Sequence, residues 1–218
     1  MDIDSDANCA RPSARAFVGD DAVASGGEED LNTIDVRLML ATKGGDMTAF
    51  EELVSRHQHA VVGTVAKMLG NASDAEDIAQ QVFVRVWKSA SRYEPQAKFT
   101  TWLFTITRNL VFNESRRRSR KKEVSSEERE ENFHQTLVGE RHSEPDAAVL
   151  QNELEAAVDA AIQALPEKQR LAVVLRRYED MPYEEIGVIL DLSLSAVKSL
   201  LFRARGQLKE ALGQYLNA

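Results

Sequence analysis

Apolar residues recur every three to four positions along most of this chain, a period that predicts amphipathic helices. The pattern begins near Thr33 and breaks at Gly44, which predicts a first helix between these residues. Asp46 is a suitable N-cap for a second helix, because its side chain can accept a hydrogen bond from a free backbone N–H. That helix is predicted to run to about Leu69, where Gly70 can supply a left-handed C-cap.

Two more helices are predicted before the middle of the chain. Ser73 or Asp74 can cap the third helix, which should extend to about Ser91. Pro95 disfavours helical geometry at the preceding residue and therefore predicts a loop. The fourth helix is predicted over residues 99–122, where aromatic and large apolar residues give way to the basic run RRRSRKK.

Helical periodicity returns near residue 146 and predicts four further helices. The first of them ends at Leu165-Pro166, and the others are predicted over Glu167–Tyr178, Tyr183–Leu190 and 195–216. With no strand-like alternation between these segments, the predicted fold class is all-α: two small helical domains joined by a flexible acidic linker.

Domain boundaries follow from where the periodicity stops. The chain has 218 residues, enough for two small domains. Residues 1–32 lack apolar periodicity and are predicted to be a disordered acidic extension. We expect one helical domain over 33–122, a linker over 123–149 and a helix-turn-helix domain over 150–218.

The net charge of −8 argues at first against nucleic-acid binding, but the charges are unevenly distributed. Residues 1–32 hold eight acidic and two basic residues, and residues 123–153 hold nine acidic and two basic residues. In contrast, residues 108–122 hold seven basic residues against one acidic residue, and residues 197–209 hold four basic residues and no acidic one. Two concentrated basic segments favour nucleic-acid binding more than the total charge opposes it.

The predicted helix over 99–122 divides into two faces at about 100° per residue. One stripe should be core: Phe99, Trp102, Leu103, Ile106 and Leu110. The other side carries Thr101, Phe104, Thr105, Arg108, Phe112, Ser115 and Ser119. On that side Phe104 and Phe112 form an apolar surface for which the sequence suggests DNA, a protein partner or the second domain. The better candidates for DNA contact are Lys98, Arg108, Asn109, Asn113, Arg116 and Arg117.

The segment from Tyr183 to Arg205 has the spacing of a helix-turn-helix. Gly187 is small enough for close approach of the second helix, and Asp191 can adopt the left-handed conformation that the turn needs. Four residues of the second helix should point inward: Val197, Leu201, Ala204 and Leu208. The residues left to face the DNA groove or phosphates are Ser195, Lys198, Ser199, Phe202, Arg203 and Arg205.

Other classes of protein find little support in the sequence. No apolar run approaches the roughly 20 residues of a membrane span. The acidic N-terminus lacks the apolar segment of a signal peptide, and Cys9 has no cysteine partner, so we expect a protein of the cytoplasm. His57 and His59 lie roughly 200° apart on a helix and cannot bind one metal ion from the same face.

The chain has no phosphate-cradling glycine loop, no HExxH motif and no serine nucleophile elbow, so we expect no enzyme activity, no cofactor and no metal. Acidic pairs such as Glu51-Glu52 and Glu184-Glu185 are interpreted as charge on helix surfaces.

Three ordered blocks of this sequence resemble the bacterial sigma-70 class of RNA polymerase sigma factors, in its extracytoplasmic-function (ECF) group. The first block is DAEDIAQQVFVRVW over residues 74–87, and the second is FTTWLFTITRNL over residues 99–110 with the basic run behind it. The third comprises Leu165-Pro166, YEEI at 183–186, VKS at 197–199 and RAR at 203–205. The match covers about residues 33–122 and 150–213.

The resemblance implies a transcription initiation factor that binds core RNA polymerase and directs it to promoter DNA. The third helix would dock on the clamp helices of the largest polymerase subunit, with the second domain at the flap. Polar contacts to polymerase would come from Asp74, Asp77, Gln80 and Gln81, while Phe83 and Trp87 pack within the domain. The fourth helix would read and open the minus-ten element, and the helix-turn-helix would bind the minus-thirty-five element. The acidic linker would thread toward the RNA channel, and an anti-sigma protein would be a second partner.

The chain departs from the pattern of the group at two matched positions. Leu200 stands where the group often has Arg, which puts one minus-thirty-five contact in doubt. Gln81 stands where an acid is common, which would soften the polymerase contact. Residues 1–32 lie outside the resemblance.

Two other readings compete with the sigma factor. A stand-alone helix-turn-helix regulator would bind an operator without polymerase, and residues 74–87 would then be core alone. A DNA recombinase would need a nucleophile constellation that the sequence lacks.

Overall fold

The computed structural model describes residues 31–71, 73–127 and 147–216. Within these ranges all regular structure is helical, which confirms the all-α fold class. The first part forms α1 (Leu31–Lys43), α2 (Met47–Leu69), α3 (Ser73–Ser89), a 3₁₀ turn (Ala90–Arg92) and α4 (Phe99–Glu127). The second part forms α5 (Ala147–Ala164), α6 (Glu167–Tyr178), α7 (Tyr183–Leu190), α8 (Leu194–Ala211) and α9 (Gly213–Leu216). Residues 1–30 of the predicted N-terminal extension and most of the predicted linker lie outside the described residues, whereas Leu31 and Asn32, predicted to belong to the extension, are the first residues of α1.

The ends of α2 follow its predicted caps. Asp46 has extended backbone geometry, and its Oδ1 accepts a hydrogen bond of 3.1 Å from the backbone N–H of Ala49. Gly70 adopts the left-handed conformation, with φ 68°, and donates its N–H to the carbonyl of Ala66 at 2.9 Å. Both caps satisfy backbone groups that a helix end otherwise leaves unpaired.

Three helix boundaries differ from the prediction. The third helix tightens into the 3₁₀ turn at Ala90 instead of continuing to Ser91. Helix α4 reaches Glu127, beyond the predicted end at Lys122, because no glycine or proline interrupts residues 99–127. The predicted last helix is divided at Leu212 into α8 and α9.

A buried carboxylate joins α1 to α2 in the first domain. Asp35 is 2% exposed and accepts hydrogen bonds from Arg56 Nε at 2.8 Å and from His57 Nε2 at 2.9 Å. Burial raises the pKa of Asp35, but hydrogen bonds and charge from His57 and Arg56 outweigh it, so the pKa lies below its ordinary value. His57 is half-buried, and its ring also packs against Phe99 with centroids 5.1 Å apart.

The core of the helix-turn-helix forms around α7, whose inward residues Ile186 and Ile189 are fully buried. Gly187 is required by a close approach, because a Cβ atom there would lie 2.8 Å from the carbonyl oxygen of Leu192. Asp191 closes α7 in the left-handed conformation, with φ 55°, as the sequence predicts. Within the described part of the chain, no helix combines the length and apolar character needed to cross a membrane.

The two domains pack directly against each other. The carboxyl end of α2 fits against the turn between α5 and α6, where Arg170 Nη1 donates to the carbonyl of Met68 at 2.6 Å and Gln163 Nε2 donates to that of Lys67. The Lys67 side chain pairs with Asp159 at 3.2 Å and lies over the ring of Tyr178. Carbonyls left free at the end of one helix are thus satisfied by side chains of the other domain.

Helix α4 is enclosed by both domains, which corrects the prediction for its second face. Phe104, Phe112 and Thr101 were expected on the side away from the core, but they are 2%, 8% and 2% exposed. The reason is that α2 and α3 cover α4 from one side while α7 of the second domain packs against it from another. Trp102, expected in the core, is only partly buried and packs against Tyr93 with centroids 5.0 Å apart.

Candidate nucleic-acid and polymerase interfaces

The first candidate interface is the outward face of α8. Ser193 caps this helix, since its Oγ accepts a hydrogen bond of 3.3 Å from the N–H of Ala196. Val197, Leu201 and Ala204 are buried, as predicted, and they fix the rotation of the helix against α6 and α7. The opposite face is exposed and carries Ser195, Lys198, Ser199, Phe202, Arg203 and Arg205.

Hydroxyl groups, cations and one aromatic ring stand together on this face. Phe202 is 78% exposed, the highest value among the exposed large hydrophobic residues in the described part of the chain. Arg205 Nη2 donates to the Tyr183 hydroxyl at 3.1 Å, and Arg203 Nε approaches the Ser199 carbonyl at 3.4 Å. Such a face can bind phosphates through its cations and base edges through Ser, Arg and apolar contacts.

Leu200 stands where sigma factors of the ECF group often have Arg. Its side chain is partly buried against the core. Its side chain therefore supports the helix rather than extending the exposed face.

The second candidate interface is the amino-terminal half of α4 together with Lys98. In the structure, Lys98 and Arg108 of this predicted surface make contacts with other side chains. Lys98 Nζ lies 2.8 Å from Glu185 Oε1, and Arg108 is half-buried with its guanidinium donating to Asn109 Oδ1 at 2.7 and 3.0 Å. Burial lowers the pKa of Arg108, while the negative charge of Asp191 acts in the opposite direction.

The interpretation of Glu184-Glu185 as charge on a helix surface is wrong for Glu185. Glu184 is exposed, but the Glu185 side chain is only 17% exposed and bridges two residues of the other domain. Besides the Lys98 contact, its Oε2 accepts a hydrogen bond of 3.1 Å from the Thr101 hydroxyl.

The carboxyl-terminal half of α4 presents Asn113, Arg116 and Arg117 on the exposed surface. Arg117 is nevertheless held by Glu114 through two hydrogen bonds of 2.7 and 2.8 Å. Arg118 also donates to Glu114, at 2.9 Å. The hydrogen bond from Arg117, with the further bond from Arg118 and their charges, lowers the pKa of Glu114 to about 2.

The candidate polymerase surface lies on α3. Asp77, Gln80 and Gln81 are exposed, whereas Asp74 is half-buried. Asp74 Oδ2 accepts hydrogen bonds from Arg118 Nη2 at 2.7 Å and from Asn71 Nδ2 at 3.1 Å. Phe83 is buried and Trp87 packs on Phe50 at 5.1 Å between ring centroids, so both lie within the domain as predicted.

Sequence reasoning missed Glu114, Arg118 and Glu185 as members of these surfaces. The spacing of Glu114 and Arg118, four residues apart on a helix, is a local signal that was available. Glu185 has no such signal, because Thr101 lies 84 positions away. Among the described residues, no group of three or more His, Cys, Asp or Glu side chains is placed to bind a metal ion.

A helix-turn-helix whose second helix has an exposed polar face, together with a basic helix in another domain, is an arrangement typical of helical DNA-binding proteins. The family models for Sigma-70 region 2 and Sigma-70 region 4 match residues 53–121 and 155–208. The RNA polymerase sigma-H factor of Pseudomonas aeruginosa is 33% identical over 181 residues, which is 82% of this chain and 93% of that protein. The ECF RNA polymerase sigma-E factor of Escherichia coli K12 is 33% identical over 174 residues, covering 78% and 90%. The chain belongs to the sigma-70 family of RNA polymerase sigma factors, in its ECF group.

Solved structures share the fold. The structure of CnrH in complex with the cytosolic domain of CnrY gives a TM-score of 0.61 at 26% identity, covering 83% of this chain and 98% of that one. The sigma factor RpoE from Bartonella quintana, in complex with the anti-sigma factor NepR, gives a TM-score of 0.58 at 22% identity and covers 75% and 96%.

Proposed function

We propose that this chain joins core RNA polymerase and directs it to promoters through two separate DNA contacts. The observation that carries the proposal is the face of α8, where six groove- or phosphate-seeking residues are exposed together opposite a buried stripe. Membership of the sigma-70 family supports the partner, core polymerase. The chain supplies binding in this proposal, and the polymerase carries out the chemistry.

The domains take different roles. Residues 150–218 form the domain that binds duplex at the minus-thirty-five element through Ser195, Lys198, Ser199, Phe202, Arg203 and Arg205. Residues 33–122 form the domain that holds the minus-ten element through Lys98, Arg108, Asn109, Asn113, Arg116 and Arg117. Arginine and lysine neutralise phosphates there, and the asparagine amides can bind exposed base edges.

Polymerase docking is assigned to the exposed face of α3. Asp77, Gln80 and Gln81 offer polar groups to solvent, and Asp74 lies beside them. A largest-subunit clamp surface with basic and polar groups would fit this face, while the second domain meets the flap. An acidic residue of this face loses its electrostatic attraction when it is neutralised, which makes the docking testable.

An anti-sigma protein is proposed as a further partner, and the cytoplasm as the location. Solved structures that share the fold support the first point, since CnrH was solved in complex with the cytosolic domain of CnrY and RpoE from Bartonella quintana was crystallised with the anti-sigma factor NepR. A protein that works with polymerase must meet it in the cytoplasm.

The test combines the full-length chain with purified core polymerase. Sheared genomic DNA of the source bacterium serves as the template, and transcript 5′ ends are mapped by sequencing, so that no promoter has to be assumed. We expect co-elution with core polymerase and transcripts that start below a shared pair of sequence elements. A stand-alone regulator would fail to bind core polymerase and would bind operator DNA alone, and this result would overturn the proposal.

A further inference from the structure

The contact between α7 and α4 places an acidic side chain on Lys98, which is proposed to face the minus-ten element, and on the neighbouring Thr101. Glu185 uses both carboxylate oxygens: Oε1 meets Lys98 Nζ at 2.8 Å and Oε2 accepts from Thr101 Oγ1 at 3.1 Å. A phosphate would bind an ammonium and a hydroxyl in the same manner, through charge-assisted hydrogen bonds. The carboxylate therefore occupies the Lys98 ammonium, a donor proposed to bind DNA, together with the buried Thr101 hydroxyl beside it.

A second acid of the same domain carries its charge near α4. Asp191, the left-handed residue that ends α7, has its negative charge close enough to act on Arg108. The Arg108 side chain is half-buried, and α7 packs against α4. One short acidic element thus contacts the buried Thr101, pairs with Lys98, whose side chain stays 55% exposed, and brings its charge near the half-buried Arg108.

The cover is selective. Asn113, Arg116 and Arg117, farther along α4, remain exposed, and so does the whole reading face of α8. Phe104, next to the covered donors, is 2% exposed. The helix-turn-helix therefore packs against the first domain through α7, and the proposed duplex-binding face of α8 points outward.

We propose that the free chain closes on itself through Glu185 and Asp191, which act as stand-ins for promoter phosphates and block the amino-terminal half of α4 until α7 is displaced. This inference rests on the proposed function for the assignment of that half to promoter DNA. Binding of duplex by α8 needs no such displacement, so the two DNA contacts become available in sequence. The contacts at Gln163 and Arg170 are separate and hold the domains together elsewhere.

The first test is a zero-length cross-link on the full-length wild-type chain. A carbodiimide joins an amine to a carboxylate only where the two touch, so we expect a Lys98–Glu185 linked peptide in the monomer fraction. Lys98→Arg keeps the charge but removes the amine, and it should abolish that peptide. A 20-nucleotide single-stranded DNA should lower its yield by competing for Lys98.

The second test compares two double variants of equal charge. Glu185→Gln with Asp191→Asn removes both acids of the contact and retains a residue that tolerates the left-handed turn. Glu184→Gln with Glu210→Gln removes two exposed acids of the same domain as the matched control. We expect the contact variant to bind the 20-nucleotide strand roughly tenfold more tightly than the control, because hydrogen bonds to charged groups are the stronger ones.

The outcomes separate this inference from the proposed function. Absence of the Lys98–Glu185 peptide from wild-type monomer, or equal strand binding by the two double variants with native circular dichroism, overturns self-closure. Promoter-specific transcription with core polymerase in the same preparation would show that the sigma function stands without it. Cross-linking that persists unchanged at saturating single-stranded DNA would also contradict the proposal, because the carboxylate and DNA would then not compete.

Discussion

The two candidate DNA surfaces differ in how much of their chemistry is free in the isolated chain. On α8 all six proposed contact residues are exposed, and the recorded hydrogen bonds of Arg203 and Arg205 stay within the second domain. On α4 the proposed contacts begin with Lys98 and Arg108, which acids of the other domain approach, and continue with Arg117, which Glu114 holds. The two proposed surfaces thus use similar residue types. Those of α8 are exposed in the isolated chain, whereas several of those of α4 must first lose a carboxylate partner.

This difference teaches that basic composition alone does not measure readiness to bind DNA. A cation that already has a carboxylate partner must lose that partner before it can neutralise a phosphate, and the gain in binding is reduced accordingly.

The largest effect is expected at Gly187, on which the position of the α8 surface depends. Gly187→Ala places a Cβ atom 2.8 Å from the Leu192 carbonyl oxygen, a backbone atom that cannot rotate away. Overpacking of this kind should lower the free energy of unfolding of the helix-turn-helix by about 3 kcal/mol. Urea denaturation followed by circular dichroism measures it.

Gly206 provides the matched control, since it lies in α8 and a Cβ atom there meets nothing within 4 Å. Gly206→Ala should be neutral or stabilising by up to about 1 kcal/mol, from helix propensity. Equal effects of the two substitutions would contradict the close-approach explanation.

A smaller effect is expected at the exposed end of α4. Arg116→Ala with Arg117→Ala should reduce promoter-specific transcription roughly tenfold and lower the salt dependence of promoter binding by about two phosphate contacts. Core-polymerase binding should be unchanged, because these residues lie outside the proposed docking face on α3. Unchanged transcription would show that this end of the helix is only a solvated terminus.

On α8, Lys198→Ala tests a cation that is exposed in the free chain. It should weaken duplex binding by about 1 kcal/mol, nearly uniformly across sequences, and reduce the salt slope by about one. Arg203→Ala should instead relax preference for particular base pairs. If Lys198→Ala altered sequence preference while leaving the salt slope intact, the phosphate role would be wrong.

The smallest effect concerns Glu114, the residue that holds Arg117. Its pKa of about 2 in the folded chain lies below the ordinary glutamate value, so its stabilising contribution is complete above that ordinary value. As pH falls toward 2, the carboxylate takes up a proton and the contribution is lost. Carbon NMR titration of the Glu114 carboxyl group measures the midpoint.

Arg117→Ala should raise that midpoint toward the ordinary value, whereas Arg116→Ala should leave it in place because no contact joins Arg116 to Glu114 among the recorded ion pairs of the described residues. A wild-type titration midpoint of Glu114 at the ordinary glutamate value would mean that Arg117 is free for DNA. The α4 surface would then differ less from the α8 surface in how many of its cations are already paired.

Local sequence rules predicted the structure of the α8 surface well. The left-handed Asp191, the close packing at Gly187 and the buried stripe of α8 all follow from residues a few positions apart. The cap at Asp46 has the same origin. Such features depend on backbone geometry and helical periodicity, which a single sequence contains.

The covered surface could not be predicted in this way. Phe104 and Phe112 have the periodicity of a second helix face, and they are buried because helices of both domains pack against α4. Glu185 resembles its exposed neighbour Glu184 in sequence, but its partners lie more than 80 positions away, as the separation of 84 from Thr101 shows. Contacts of that range depend on how the two domains meet, which neither helical period nor charge pattern specifies.

The most direct test of the account is run-off transcription by core polymerase with the wild-type chain, on a promoter fragment identified from the mapped genomic transcripts. Three variants complete the series: one altered on α8 (Lys198→Ala with Arg203→Ala), one on α4 (Arg116→Ala with Arg117→Ala) and one at Gly206→Ala as the neutral control. We predict a promoter-specific transcript from the wild type and the control, and a strong reduction from each altered surface. Equal transcript from core polymerase with and without the wild-type chain would contradict the central claim.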